Sequence, residues 1–552
     1  MQRRPNLQTF LCCLMVYILS CGHAVVRPLK AAPQPQVGAL ENPCDHLPAP
    51  PGLANGIDMK CLPRPSSSGI AKADFNGDGF ADLAIGISDQ TVNDVTTAGA
   101  VIVMYGSANG LTTNTSGIPL PQTWTESNTG LSTSTGDHFG LAVAAGDFNG
   151  DGYSDLAILK PGTASTIVVL HGSPSGLVSL PGNSFPICHA DSAGALAWGD
   201  FNGDGFGDLM VGCVFQASLN VIPGSKEGLD LNHRQFFSSI LPSTFGTPVG
   251  LVLAPGDFNG DGRTDVAIGV PNANIPDTSG GCVANCNYFS KAGLVAVMYG
   301  SSTGIVDLPP QIWYQGASNI CCQAEQNAHF GASLAVGDFN GDGKKDLAIG
   351  APRNSVSGVS DAGTVVIIYG SSGGLTSNGN QIWNENTVGG VARSNEFGFA
   401  LAAGDFNGDG RADLAIGIPF EDVNTALGAG QVAVVYGSPS GLSTSGHPAQ
   451  FWHQGSPISG SPQQNGHFGF SLSAWNFGRN DVTFAPVVTV HETADLAIGS
   501  PNYEVSRVLF AGAINVIYGS FLGNGLIASN NQLFFQGSPF GLSSDHFGST
   551  MY

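Results

Sequence analysis

Aspartate and asparagine recur in this chain at a spacing suited to gripping a hard cation. In the first instance Asp74, Asn76, Asp78 and Asp82 take positions 1, 3, 5 and 9 of the run Asp-Phe-Asn-Gly-Asp-Gly-Phe-Ala-Asp. Alternate side chains of a tight turn converge on one point, the backbone carbonyl of Phe80 at position 7 can join them, and Gly79 permits the bend. Such oxygens suit Ca2+, and the run holds no His or Cys that would favour zinc or copper. The pattern returns as Asp147, Asn149, Asp151, Tyr153 and Asp155, and again as Asp200, Asn202, Asp204, Phe206 and Asp208. It continues as Asp257, Asn259, Asp261, Arg263 and Asp265, then as Asp338, Asn340, Asp342, Lys344 and Asp346. Asp405, Asn407, Asp409, Arg411 and Asp413 complete the set, so about six Ca2+ sites are expected. An EF-hand would carry Glu at position 12 between two helices. Here that position is Ile85 in an apolar run, so the ninth-position Asp is expected to close the site. A seventh copy, Trp475-Asn476-Phe477-Gly478-Arg479-Asn480, has lost the acidic ligands and is expected to bind no calcium.

What must position these turns is also written repeatedly. Each Asp run leads into Leu-Ala-Ile-Gly or a variant of it, and after the seventh copy the pattern resumes at Asp495-Leu496-Ala497-Ile498-Gly499. A second strand of the form Ala-Gly-x-Val-x-Val-x-Tyr-Gly-Ser follows, as at Ala98–Ser107 and Ala362–Ser371. A short Gln-x-aromatic strand comes next, ending at Trp124, Phe236, Trp313, Trp383, Trp452 and Phe534, and a Phe-Gly step such as Phe139-Gly140 opens the following unit. Start-to-start spacing runs from 53 to 81 residues. Four short strands cannot bury both faces of their own sheet, whereas a ring of such sheets can. Seven units therefore predict an all-β, seven-bladed propeller over residues 68–552. The closing His546-Phe547-Gly548 repeats the opening of a unit, and it is expected to pack on the first blade and close the ring; a truncated eighth blade is the alternative.

Composition agrees. With 11% charged residues, 78 Gly and 33 Pro, the chain is no coiled coil. A hydrophobic content of 42% is enough for a core. Acidity is carried by 32 Asp against 9 Glu, and a net charge of −22 makes nucleic acid an improbable partner. Arg3 and Arg4 precede the apolar run Phe10–Leu19, which is too short to span a bilayer and suits an export signal over residues 1–24. Ile18-Leu19-Ser20-Cys21 also resembles a lipobox, which would make residues 1–20 the leader and Cys21 a lipid anchor. Residues 25–67 form a Pro-rich extension in which Cys44 and Cys61 could be bridged. Eight of the 11 cysteines lie beyond the leader, an even number that fits a disulfide-forming compartment and a secreted or cell-surface location.

This constellation resembles the FG-GAP repeat, the unit of the integrin α-subunit β-propeller and of many bacterial surface proteins. The resemblance implies that the Asp loops join the first two strands of each blade on the lower face, with ligand recognition on the upper face. On that footing Cys188 lies in the link leaving the second blade and Cys213 follows the second strand of the third, so a Cys188–Cys213 bridge is expected, with further bridging among Cys282, Cys286, Cys321 and Cys322. The loops Pro271–Lys291 and Gln315–His329 are the candidate recognition surface. His138, His329, His467 and His546 precede Phe-Gly steps and are expected to be structural, because no nucleophile or acidic orienter stands beside them in a fixed motif. Asn114-Thr115-Ser116 is a glycosylation sequon. The chain is thus expected to be an exported calcium-binding propeller that binds an extracellular protein or glycan in adhesion, and not an enzyme. The alternatives are a hydrolase or lyase with its site on the upper face, or a structural surface protein.

Overall fold

The Leu-Ala-Ile-Gly runs become the second strand of each blade. Leu83–Ile87, Asp265–Val270, Asp346–Ala351, Asp413–Ile418 and Asp495–Ser500 are buried along their whole length. A strand sandwiched between neighbouring sheets has no solvent side, which is why these runs are continuously apolar rather than alternating. The computed structural model describes residues 74–552 apart from 115–116, 162–163, 190–192, 214–217, 239, 242–244, 246–250, 278–287, 307–308, 318–319, 321–322, 392, 456, 480–492, 521–522 and 536–544. The expected leader, the Pro-rich extension and Cys44, Cys61, Cys282, Cys286, Cys321 and Cys322 lie outside the described residues.

Seven four-stranded antiparallel sheets make the blades of a β-propeller. The fifth is representative: Ser333–Gly337, Asp346–Ala351, Thr364–Tyr369 and Thr376–Trp383 run from the axis outward. Among the described residues the one α-helix is Glu385–Val388. The first blade borrows its axial strand. Thr550–Met551 pairs antiparallel with Leu83–Ile87, Met551 opposite Ile85, so the tail completes the ring as the sequence expects.

Three sets of bonds stitch each blade to the next, and they explain the repeated motifs. On the upper side the Phe-Gly step docks on the Ala-Gly of the preceding blade: the Phe139 N–H donates to the Ala98 carbonyl at 2.8 Å, and Phe330, Phe397, Phe468 and Phe547 repeat the bond to Ala292, Ala362, Ala429 and Ala511. A Cβ on Gly99 would stand 2.2 Å from the Phe139 carbonyl oxygen, and one on Gly86 only 2.1 Å from that of Gly140. Glycine is required at both places by close backbone approach. At the outer rim, the Tyr of Tyr-Gly-Ser donates to the Gln of Gln-x-aromatic, as Tyr369 does to Gln381 at 2.8 Å. That Gln amide then donates across the seam to a leucine carbonyl, as Gln381 does to Leu442 at 3.0 Å. At the lower side the Asp loops themselves carry the third set.

Cys188 and Cys213 are bridged, with their Cα atoms 5.9 Å apart. Cys188 lies within the last strand of blade 2, Val178–His189, rather than in the link after it, so the bond ties that strand to the second strand of blade 3. In blade 3 the register sets Phe237 opposite Leu219, matching Trp124 opposite Val101, while Phe236 faces outward, 56% exposed.

Candidate functional site

Each Asp loop joins the first and second strands of its blade, as in the fifth, where Gly337 ends one strand and Asp346 starts the next. The turn is wound around its position-1 carboxylate. Asp338 Oδ1 accepts from the Gly341 and Asp342 N–H groups at 2.7 and 3.0 Å, and its Oδ2 accepts from Gly343 at 2.8 Å. Asn340 Oδ1 takes the Asp342 N–H at 2.8 Å, and Asp342 Oδ1 takes that of Lys344 at 2.9 Å. The loops at Asp74, Asp200, Asp257 and Asp405 repeat the full scheme, and the loop at Asp147 repeats most of it. A carboxylate oxygen that accepts one N–H keeps a lone pair for another partner.

The ninth-position Asp does something that the sequence reading did not assign to it. Asp346 is fully buried; its Oδ2 accepts from the Phe339 N–H and its Oδ1 from the Gly370 N–H, both at 2.9 Å. It therefore fastens the start of its loop to the Tyr-Gly-Ser turn of its own blade. Asp82, Asp155, Asp208, Asp265 and Asp413 make the same pair of bonds. So does Asp495 in the seventh blade, to Phe477 and Gly519, although that blade has lost its other loop acids. The loop backbone meanwhile reaches the next blade. The Asp338 carbonyl accepts from Ala412 at 2.9 Å and the Phe339 carbonyl from Ser438 at 3.2 Å; at the closing seam Asn476 and Phe477 receive Ala81 and Ser107 in the same way.

Electrostatically these loops concentrate negative charge in buried or half-buried positions. Burial pushes Asp208, Asp265 and Asp346 up to about 7 from an ordinary 3.8, with the other loop carboxylates adding to the rise. Burial raises Asp78 and Asp147 to about 6, again with neighbouring Asp charges adding to it. Basic residues at position 7 answer part of this charge: Arg263, Lys344 and Arg411 lie 3.6, 3.8 and 3.4 Å from Asp261, Asp342 and Asp409. Among the described residues no three Asp, Glu, His or Cys side chains converge closely enough to hold an ion as they stand. The donor set nevertheless fits a hard divalent cation: every loop offers oxygen alone, on carboxylates held up by burial and mutual repulsion.

The four histidines lie in the upper seams at left-handed backbone angles, φ 48 to 57°. His138 Nδ1 is 3.3 Å from Asp89, which raises its pKa. Burial lowers His329 and His467 to about 4. The Asn502 amide bridges His467 and His546 at 3.0 Å each. Of the two long loops, the described parts show Ile275–Pro276 paired with Tyr288–Phe289. Sequence reasoning missed a group on the same face. Glu385, in the turn after Trp383, and Glu421, after the second strand of blade 6, both accept from the Asn395 amide nitrogen. Burial raises both, Glu385 to about 6, and for Glu385 the charge of Glu421 adds to the rise. Trp-x-Glu recurs only at Trp124-Thr125-Glu126, too faint a signal to single out.

Comparison with known proteins bears on both the loops and this face. The FG-GAP repeat model matches residues 67–104, 249–285, 330–368 and 397–435, and an FG-GAP-like repeat model matches 147–211. Phosphatidylinositol-glycan-specific phospholipase D of Mus musculus is 28% identical over 330 residues, which is 56% of this chain and 34% of that protein. The Homo sapiens protein of the same name is 33% identical over 35% of this chain and 21% of its own length. Integrin alpha-PS2 of Drosophila melanogaster is 32% identical over 41% of this chain and 14% of its own length. The chain thus spans about a third or less of these curated relatives. The expectation that it is not an enzyme is corrected here, since several of these relatives carry an enzyme's name. The physical reason is that the repeats specify a scaffold and say nothing of the pocket chemistry carried on its loops.

Proposed function

We propose, from the premise that this chain is an FG-GAP repeat β-propeller, that it is an exported, calcium-loaded scaffold whose upper face binds an extracellular protein or glycan. The observation that carries this reading is that the acidic loops lie on the seams: those starting at Asp147, Asp200, Asp257, Asp338 and Asp405 each have their position-1 and position-2 carbonyls bonded to the next blade. The side chains at positions 1, 3, 5 and 9 and the position-7 carbonyl would hold Ca2+, which would neutralise the loop and so stiffen the seam. The Cys188–Cys213 bridge supports an oxidising destination. No helix among the described residues is long and apolar enough to cross a membrane. The test is elemental analysis of dialysed protein together with glycan and protein arrays probed in calcium and in chelator. About six Ca2+ per chain and calcium-dependent capture of a ligand are expected; metal-free protein that binds equally well overturns the reading.

A second reading is favoured by the Glu385–Asn395–Glu421 group and by the enzyme-named relatives: hydrolysis at the upper face, with one carboxyl protonated and the other ionised. Glycosylphosphatidylinositol and polysaccharide panels test it. Turnover that Glu385→Gln and Glu421→Gln each abolish would establish it.

A further inference from the structure

The axial strands differ around the ring in what they present to their neighbours. In blade 3, Trp198 lies across the axial strand of blade 2, so close that a Cβ on Gly146 would stand 2.8 Å from its ring. Blades 5 and 6 present Ala335, Gly337, Ala402 and Gly404 instead, and a cavity of about 340 Å³ opens along them at the Asp-loop end. That volume is within the usual range for small-molecule sites, roughly 300–1,000 Å³.

Its lining is chemically two-sided. Trp475 of blade 7 contributes an aromatic surface at the register position where blades 5 and 6 carry Gly337 and Gly404, each opposite the first Asp of its second strand. Tyr552 of the tail joins it. Blades 5 and 6 contribute Lys345 and Arg411. Lys345 is half-buried and makes no ion pair among the described residues. Among the described residues the buried Arg411 Nε–H has no acceptor, and another guanidinium nitrogen lies 3.4 Å from Asp409. Asp338 and Asp405 also border the space, but their carboxylates are turned into their own loops by three backbone N–H groups each. The lining thus carries two cationic residues, Lys345 and Arg411, together with the aromatic Trp475 and Tyr552.

We propose that this cavity binds an acidic monosaccharide. Lys345 and Arg411 hold the carboxylate, and the C–H face of the sugar ring lies against Trp475. An ammonium and a guanidinium recognise a carboxylate by charge-assisted hydrogen bonds, and the electron-rich face of an aromatic ring attracts polarised C–H groups. The alanine and glycine floor admits a ring where larger side chains would fill the space. The site lies at the opposite end of the channel from the upper-face loops, so it stands or falls independently of the ligand proposed there.

Titration of the calcium-loaded chain with glucuronate, followed by tryptophan fluorescence and calorimetry, tests the assignment, with glucose and inorganic phosphate as the comparison ligands. Saturable glucuronate binding is expected, with glucose and phosphate each at least about tenfold weaker. Lys345→Gln and Arg411→Gln should each weaken glucuronate by about tenfold in folded protein of unchanged calcium content, and Lys345→Arg should retain binding. Absence of saturable glucuronate binding overturns the proposal. So does phosphate binding as tightly as glucuronate, or unchanged affinity in a folded Lys345→Gln or Arg411→Gln variant. Should either Gln variant fail to fold, loss of binding by Lys345→Arg overturns it as well.

Discussion

The seventh blade differs from the other six at the loop and agrees with them at the strand that follows. Where the fifth blade has Asp338, Asn340 and Asp342, the seventh has Asn476, Gly478 and Asn480, the last outside the described residues. Yet Asp495 keeps both bonds that Asp346 makes, and it too is fully buried, its pKa pushed well above the ordinary value chiefly by that burial. Arg479 has entered the same neighbourhood. Its guanidinium sits 5.0 Å from the centre of the Tyr518 ring, donates to the Asn109 and Asn530 carbonyls, and pulls the Asp495 pKa back down. The comparison separates two tasks within one motif: the ninth carboxylate fastens the blade internally in all seven blades, while the earlier acids, absent from the seventh, belong to the proposed calcium site. A loop that carries its own cation can drop the second task and must keep the first.

The sharpest way to break this comparison is to remove the ninth carboxylate from one blade of each kind. Asp346→Ala and Asp495→Ala each orphan two buried backbone donors, so each should cost roughly 3 kcal/mol or more in unfolding experiments. A silent Asp495→Ala would show that the clamp is incidental. Next in size is metal removal: chelation should lower the melting temperature by many degrees. Asp338→Ala should lose one bound calcium, whereas Asn476→Ala should leave the count unchanged, as read by elemental analysis. A smaller effect is expected at the rim. Gln381→Ala at a regular seam and Gln532→Ala at the closing seam should each cost about 1–2 kcal/mol, because both Gln side chains bridge a tyrosine hydroxyl to a leucine carbonyl. Unequal losses would show that the closing seam is held differently.

The smallest effect concerns pH, and two seams should respond in opposite directions. His467 is lowered to about 4 by burial, so its neutral form belongs to the folded state. Its contribution is present above its ordinary 6.5 and is lost as pH falls from there towards 4. His138 is raised by Asp89, so its contribution is present below 6.5 and is lost as pH rises through its folded value. Melting curves of His467→Gln and His138→Gln against pH should therefore converge on the parent at opposite ends of the range.

Much of the fold was legible because each motif is copied at the same place in every unit. Leu-Ala-Ile-Gly, Phe-Gly and the Asp run each mark one strand or turn, and repetition raised them above chance. The Cys188–Cys213 bridge followed from knowing which strand ends share a seam. What stayed hidden was pairing between copies. Nothing local tells that Gln532 reaches Leu111, or that Ala81 answers Asn476, because those partners meet only once the ring exists. The second role of the ninth Asp was masked by its first, since a carboxylate in a calcium-like loop already seems explained. The Glu385–Glu421 group was out of reach for a related reason: its two acids lie in different blades and are joined by a third side chain, Asn395, from the link between them. Likewise Trp475 reads as damage to the seventh loop until its register places it on the axis.

The borrowed strand of the first blade has a consequence for biogenesis. Ile85 emerges early from the ribosome, but its partner Met551 is translated more than four hundred residues later. The nascent chain therefore exposes an unpaired apolar edge throughout synthesis. Closure of the ring is therefore the contact of greatest sequence separation, and refolding should find it the slow step.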